Sequence, residues 1–155
     1  LTNIYNRGYF EKMIKHYNQE QNLPLGIVLC DLDRLKYVND TYGHKKGDQL
    51  IQAIAQLLKN NLSENAIVSR VGGDEFAIIL PNTTKFQIEI LCEELREKIK
   101  HFPALSDDIK LQMSMGFSFS EQSIGKTESL YIEADKKMYE EKRQKQKLTR
   151  ELYHK

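Results

Sequence analysis

Apolar positions along the chain switch between two periods, and the switches mark the elements. Phe10, Met13, Ile14 and Tyr17 recur at helical spacing behind Asn6, whose short polar side chain suits an N-cap. Pro24 ends the connection, and Leu25–Cys30 follows as an apolar run bounded by Asp31. A run without polar alternation predicts a strand buried on both faces. A polar stretch with Gly43 and Gly47 as expected breakers leads to Leu50, Ile51, Ile54, Leu57 and Leu58, the stripe of an amphipathic helix. Two strand-like runs, Ala66–Val71 and Glu75–Leu80, surround Gly72-Gly73. They predict a tight hairpin with a type I′ turn, which needs positive φ at both central residues. Pro81 closes the second run, and Ile88, Leu91, Leu95 and Ile99 form another helical stripe. Leu111–Phe119 alternates Leu, Met, Met, Phe, Phe at every second residue, as a half-buried strand does, and Leu130, Ala134 and Met138 open a last helix. The predicted class is α+β: a central mixed, mostly antiparallel sheet with surrounding helices, in the order helix, strand, helix, strand, strand, helix, strand, helix.

Length and composition narrow the classes of function. The 155 residues fit one domain, residues 1–155, and 40% hydrophobic content supplies a single core. No apolar run approaches the roughly 20 residues of a membrane span, so the expectation is a soluble piece without membrane contact. With 23 Lys+Arg against 22 Asp+Glu, a nucleic-acid partner is not expected. Cys30 and Cys92 both sit in apolar segments and suit a reducing, cytoplasmic setting, and no signal peptide is visible. The first residue is Leu1 rather than Met, which suggests a piece of a longer protein. Charge is uneven: residues 136–155 carry 8 Lys+Arg against 3 Asp+Glu, leaving 15 against 19 elsewhere. A basic tail beside an acidic body can bring cations to an anionic ligand; the plainer reading is a solvated terminal helix.

The chemistry concentrates in carboxylates. Asp31 and Asp33 stand at the end of the first strand, and Asp74 and Glu75 at the tip of the hairpin. If those strands are neighbours, the four acids form one pocket suited to a hard cation such as Mg²⁺, which takes one or two carboxylates plus substrate phosphates. Gly72 and Gly73 would let something bulky approach the backbone, the alternative being an ordinary turn. Lys142 follows Met138 and Ala134 at four-residue steps, so it leaves the last helix on its buried side and can aim an ammonium inward. His16, His44, His101 and His154 show no metal-ligand spacing.

The residues Arg70-Val71-Gly72-Gly73-Asp74-Glu75-Phe76 resemble the signature of the GGDEF family, the diguanylate cyclases. Further blocks match in order: Leu1-Thr2-Asn3-Ile4-Tyr5-Asn6-Arg7, Asp31-Leu32-Asp33-Arg34-Leu35-Lys36, then Asn39-Asp40, Gly43-His44 and Gly47-Asp48, and finally Ala134-Asp135, Met138-Tyr139 and Lys142. The resemblance implies a palm-like sheet related to those of nucleotide polymerases and adenylyl cyclases, with a ferredoxin-like core. It implies condensation of two GTP into cyclic di-GMP with release of pyrophosphate, using Mg²⁺ or Mn²⁺. Each domain would hold one GTP and meet a second copy, so a homodimer is expected, driven by an upstream sensory region.

By the same resemblance, Asp31, Glu75 and the Leu32 carbonyl would bind metal. Asp74 would be a further ligand or a general base, and the strand period predicts that it and Glu75 point to opposite faces. Backbone N–H groups of Arg34, Leu35 and Lys36 would cradle phosphates, as nests do, and Lys142 would reach them. Asn39 and Asp48 would read guanine, helix capping being the alternative for both. Arg70 would steady transition-state charge across the dimer, or form a solvent-facing salt bridge. His44 belongs to the matching run in a structural place.

The sequence also departs from the family. Leu35 replaces a usual Phe, and a usual Arg falls on Gln146, with Lys145 or Lys147 as possible replacements. The inhibitory RxxD falls on Ser63-Glu64-Asn65-Ala66, so both of its charged ends are missing. Competing readings are a catalytically silent GTP-binding regulatory domain, against which all signature acids stand, a cyclase for adenine-containing dinucleotides, against which Asp48 stands, and a generic nucleotide-binding palm.

Overall fold

Nine elements follow one another along the chain: α1 (Arg7–Gln19), β1 (Leu25–Leu32), α2 (Leu35–Tyr42), α3 (His44–Asn60), β2 (Ile67–Arg70), β3 (Glu75–Pro81), α4 (Lys85–Lys100), β4 (Met113–Ser120) and α5 (Thr127–Tyr153). The computed structural model describes residues 2–105 and 109–153, with side chains as far as 150. Leu1 and His154, both named above, lie outside the described residues.

The four strands form one sheet in the order β2-β3-β1-β4, with every neighbouring pair antiparallel. This is the βαββαβ, ferredoxin-like arrangement. Among the described residues the parallel contribution is one isolated bridge, Tyr5 to Ser69.

β1 is paired on both sides, and its alternate residues feed two cores. Leu25, Ile27 and Leu29 join Phe10 and Tyr17 of α1 and Leu130, Ala134 and Met138 of α5. Val28, Cys30 and Leu32 join Leu50, Ile54 and Leu58 of α3 and Ile88 and Leu95 of α4. Each fully buried Leu or Ile in these layers contributes about 1.5–3 kcal/mol. Two buried faces explain why the run shows no polar alternation. The helix caps are legible locally: the Asn6 side chain accepts from the Tyr9 N–H at 2.9 Å, and Thr84 and Gln87 form a reciprocal capping box on α4.

Several expectations need correction. The polar stretch after β1 contains a helix, α2, and only Gly43, at φ 92°, breaks the chain; Gly47 lies inside α3. Neither Gly72 nor Gly73 has positive φ, so the hairpin does not use a type I′ turn. Its loop is wider instead, with the N–H groups of Val71 and Gly72 both donating to the Glu75 carbonyl.

β4 is not half-buried, because α5 covers its second face. The crossing is closest at Gly116, where a Cβ would lie 2.3 Å from the Met138 nitrogen and 2.4 Å from the Ala134 oxygen. Ser114 and Ser118, on the same side, are fully buried, and the Ser118 hydroxyl donates to the Leu130 carbonyl at 2.6 Å. The small residues between the large ones therefore mark an interface with a helix. β4 is also an edge strand, and side chains close that edge. Arg96 and Glu141 pair at 2.6 Å, Glu141 accepts from the Met115 N–H, and Arg96 donates to the Met115 carbonyl at 3.4 Å. Backbone groups that would otherwise invite another strand are thereby occupied.

Candidate functional site at the carboxyl end of the central strand

Asp31 is a residue of β1 itself, one step before the strand ends at Leu32. It continues the parity of Leu25, Ile27 and Leu29, so its side chain lies on the α5 side. There the β1–β3 register sets it opposite Glu75. Asp31 is only 7% exposed. One carboxylate oxygen accepts from Lys142 Nζ at 2.7 Å, while the other, Oδ1, is buried without a partner. Burial pushes the Asp31 carboxyl up to about 6; the Lys142 ammonium pulls it down without prevailing, and the nearby Asp74 charge adds to the rise. For Lys142 the balance is reversed: burial lowers it, but Asp31 more than compensates and the ammonium is held above its usual value.

Asp33, just beyond the strand, accepts from the Ser114 hydroxyl at 3.0 and 3.2 Å and from Lys145 Nζ at 3.2 Å. The chain then turns through Arg34, whose φ of 64° is left-handed, with the guanidinium stacked 4.4 Å over the Tyr37 ring. α2 starts at once, and no side chain caps it. The N–H groups of Leu35 and Lys36 therefore sit in an uncapped helix start next to the carboxylates, where the helix dipole favours an anion.

In the hairpin, Glu75 folds back over Gly72, where a Cβ would come within 3.2 Å of Glu75 Oε2; a Cβ on Gly73 would meet nothing within 4 Å. Asp74 precedes β3, and its carbonyl accepts from the Leu32 N–H at 2.7 Å. Asp74 lies one residue ahead of β3, so the strand period does not decide whether it and Glu75 point apart. Its charge bears on Asp31 as well. Among the described residues Arg70 forms no salt bridge; it donates to the Gly73 carbonyl at 2.8 Å and braces the loop. Arg7, which carried no role in the sequence reading, ties α1 to the same loop through the Val71 carbonyl at 3.1 Å.

Asn39 and Asp48 are not helix caps. Asn39 lies within α2, and Asp48 lies inside α3, whose N-cap is Gly43. Asn39 Oδ1 is buried without a partner and packs on Gly47, where a Cβ would sit 1.8 Å from it and 3.3 Å from Leu35 Cδ1. Leu35, Asn39 and Gly47-Asp48 thus converge beside the α2 start, with Asp48 exposed. His44 opens α3 on the surface.

The family model described as "Diguanylate cyclase, GGDEF domain" matches residues 1–148. The chain belongs to the GGDEF family. It is 30% identical over 147 residues to the probable diguanylate cyclase DgcT of Escherichia coli, covering 92% of this chain and 32% of that protein. The chain therefore spans about a third of the length of that relative. The GGDEF domain of YfiN from Pseudomonas aeruginosa superposes with a TM-score of 0.78 at 29% identity, covering 93% of each chain. The GGDEF domain of DgcB from Caulobacter crescentus, solved with c-di-GMP, gives 0.76 at 25% identity, covering 92% of this chain and 87% of that one.

Within this GGDEF domain the departures noted above acquire positions. Lys145 points to the strand-end carboxylates, whereas Lys147 lies on the outward face of α5 with Gln146, Arg143 and Arg150. Ser63, Glu64 and Asn65 are exposed in the turn after α3, and Ala66 turns inward. A groove of about 450 Å³ between α4, β4 and α5 runs along the capped edge of β4 and approaches the carboxylates only through Lys145 and Met113. Among the described residues no helix is long and apolar enough to cross a membrane. Ser114 was missed from sequence because a serine between two methionines reads as solvent-facing; the second buried face of β4 was its only signal.

Proposed function

We propose that this GGDEF domain is a diguanylate cyclase, joining two GTP into cyclic di-GMP at the meeting of two copies. The single observation that carries the reading is the Asp31–Glu75 register pair beside the uncapped start of α2, two carboxylates adjoining a ready anion site. In the reaction the 3′-oxygen of each GTP forms a bond to the α-phosphorus of the other. The bond from that phosphorus to the β-bridging oxygen breaks, one proton leaves each hydroxyl, and two pyrophosphates depart.

The residues present fit a hard divalent ion. Asp31 has a buried, unpartnered oxygen, its other oxygen already holds a cation, and all donors are oxygens. Among the described residues no three His, Cys, Asp or Glu side chains converge to hold a metal, so the expected pocket of four acids is not formed, and phosphate oxygens would have to complete the coordination of Mg²⁺ or Mn²⁺. Asp31, Glu75 and the Leu32 carbonyl, with Asp74 beside them, would hold it. The ion would supply charge for the phosphates and acidify the attacking hydroxyl. Asp74 would accept the hydroxyl proton. The N–H groups of Arg34, Leu35 and Lys36 and the ammonium of Lys142 would bind the phosphates, with the approach open at Gly73 and lined by Glu75 at Gly72. Asn39 and Asp48 would bind guanine, since an Asp accepts from N1–H and the 2-amino group together. Arg70, fixed on the hairpin loop, would face the partner copy.

The Lys142–Asp31 contact favours one second reading, a silent GTP-binding regulatory domain in which the lysine stays in place. Incubation with GTP and Mg²⁺ and chromatographic identification of the product separates the two: cyclic di-GMP and pyrophosphate are expected, and unchanged GTP at high protein concentration would leave the silent reading. Because two sites must meet, specific activity should rise with protein concentration and with a dimeriser fused ahead of Leu1, where a sensory region would stand. A high, flat specific activity across a dilution series would contradict assembly from separate copies.

A further inference from the structure

The basic side of the site is doubled. α5 sends two ammonium groups to the end of β1, Lys142 to Asp31 at 2.7 Å and Lys145 to Asp33 at 3.2 Å, each matched to its own carboxylate. Lys145 also donates to the Met113 carbonyl. The two pairs differ in what they leave behind when opened. Among the described residues Asp31 has only the neighbouring Asp74 carboxyl beside it, which adds to its negative charge, whereas Asp33 keeps two contacts to the Ser114 hydroxyl if Lys145 departs. The Lys145 side chain is 42% exposed, so moving it desolvates little and costs little. Its present partner, Asp33, immediately precedes Arg34, at the turn into the uncapped α2 start. An ammonium on a flexible four-carbon stem suits a shift from a carboxylate to a nearby phosphate.

We infer that Lys145 is a triphosphate-binding residue of this domain, parked on Asp33 when no nucleotide is bound and handed to the terminal phosphates when one arrives. The inference deepens the reading above and rests on it for the position of the phosphates. It selects Lys145 over Lys147, which faces away with Arg143 and Arg150. It also explains how the domain holds a triphosphate with Gln146 where a second cation is expected. Handover leaves Asp33 on the Ser114 hydroxyl, and the ammonium follows the greater negative charge that the incoming phosphates bring. Lys142 and Lys145 would then bind the same polyphosphate from adjacent turns of one helix.

The test is titration calorimetry of the 155-residue chain and its Lys145→Ala, Lys145→Arg and Lys147→Ala variants in Mg²⁺. The probes are α,β-methylene GTP, GMP and inorganic tripolyphosphate, and thermal unfolding monitors the fold. Loss of one charge-assisted contact predicts that Lys145→Ala weakens the triphosphate probes on the order of tenfold or more while GMP binding stays constant. Lys145→Arg should restore most of the loss, and Lys147→Ala should change nothing. Unchanged triphosphate affinity in Lys145→Ala, or an equal loss in Lys147→Ala, would overturn the assignment. So would parallel weakening of GMP, which marks a purely structural effect through Asp33 and the turn. Lys145-dependent binding of tripolyphosphate without selective GTP binding would uphold the inference while sinking the guanine reading; binding of neither probe by the unsubstituted chain would sink both.

Discussion

The middle of β1 and its carboxyl end lie a few residues apart and obey opposite rules. From Ile27 to Cys30 every side chain is apolar and essentially inaccessible, paired on both edges and packed on both faces. From Asp31 to Arg34 the chain buries a carboxylate with an unsatisfied oxygen, sets a second carboxylate against a lysine, and passes through left-handed backbone at a non-glycine residue. The first segment has propensity, pattern and packing in agreement. The second violates several of them at once, and such local conflict in an otherwise consistent fold marks function. The strand's rigid middle holds the unfavourable end in place.

That contrast can be broken first at its functional end. Asp31→Asn and Glu75→Gln should each lower the rate of cyclic di-GMP formation on the order of a thousandfold, with the thermal unfolding midpoint nearly unchanged. Near-normal turnover at saturating Mg²⁺ would remove these carboxylates from the chemistry.

The structural side breaks at Gly116, which lies beside Leu29 in the β1–β4 register. A methyl there meets backbone atoms of α5 at 2.3 and 2.4 Å, which cannot rotate away. Gly116→Ala should destabilise by about 3 kcal/mol, measured by urea unfolding. A stability equal to that of the unsubstituted protein would mean that α5 does not seat so tightly on β4.

Gly47→Ala sharpens the comparison by separating fold from site. Its methyl would displace the Asn39 carboxamide, a movable group, while alanine favours the helix by up to about 1 kcal/mol. Stability should hold or rise while GTP-analogue affinity falls about tenfold, the loss expected from a weakened hydrogen-bonding group. Unaltered affinity would detach Asn39 from guanine. Asp48→Ala should in turn blunt discrimination between GTP and ATP in competition kinetics, since a site built to hydrogen-bond one base rejects the other by its unpaired groups.

The smallest effect is a pH dependence of the metal-free protein. The Asp31 carboxyl is raised in the folded state from 3.8 to about 6, chiefly by burial. Its contribution to stability is therefore fully present below pH 3.8 and is lost as pH rises through about 6. The difference in unfolding midpoint between unsubstituted protein and Asp31→Asn should fall across that window and be flat above it. A difference that instead grows with pH would show that the Lys142 pairing outweighs burial.

Much of this was legible in the chain. The apolar runs and helical stripes located the residues of both layers, though composition suggested a single core; Asn6 announced a cap, and the ordered motif blocks from Asp31 to Lys142 pointed to the family and to Asp31 and Glu75, which are paired in the β1–β3 register. Local pattern could do this because side-chain periodicity and capping act over a few residues. What the sequence could not express were relations between distant segments. The burial of Ser114 and the need for glycine at 116 come from the passage of α5 over β4. The placement of Asp74 beside Asp31 comes from a hairpin loop wider than its glycines suggested. The choice of Lys145 over Lys147 depends on how α5 is rotated against the sheet. Helix rotation and loop width are set by packing between elements, where the burial of whole faces outweighs the preferences of single residues.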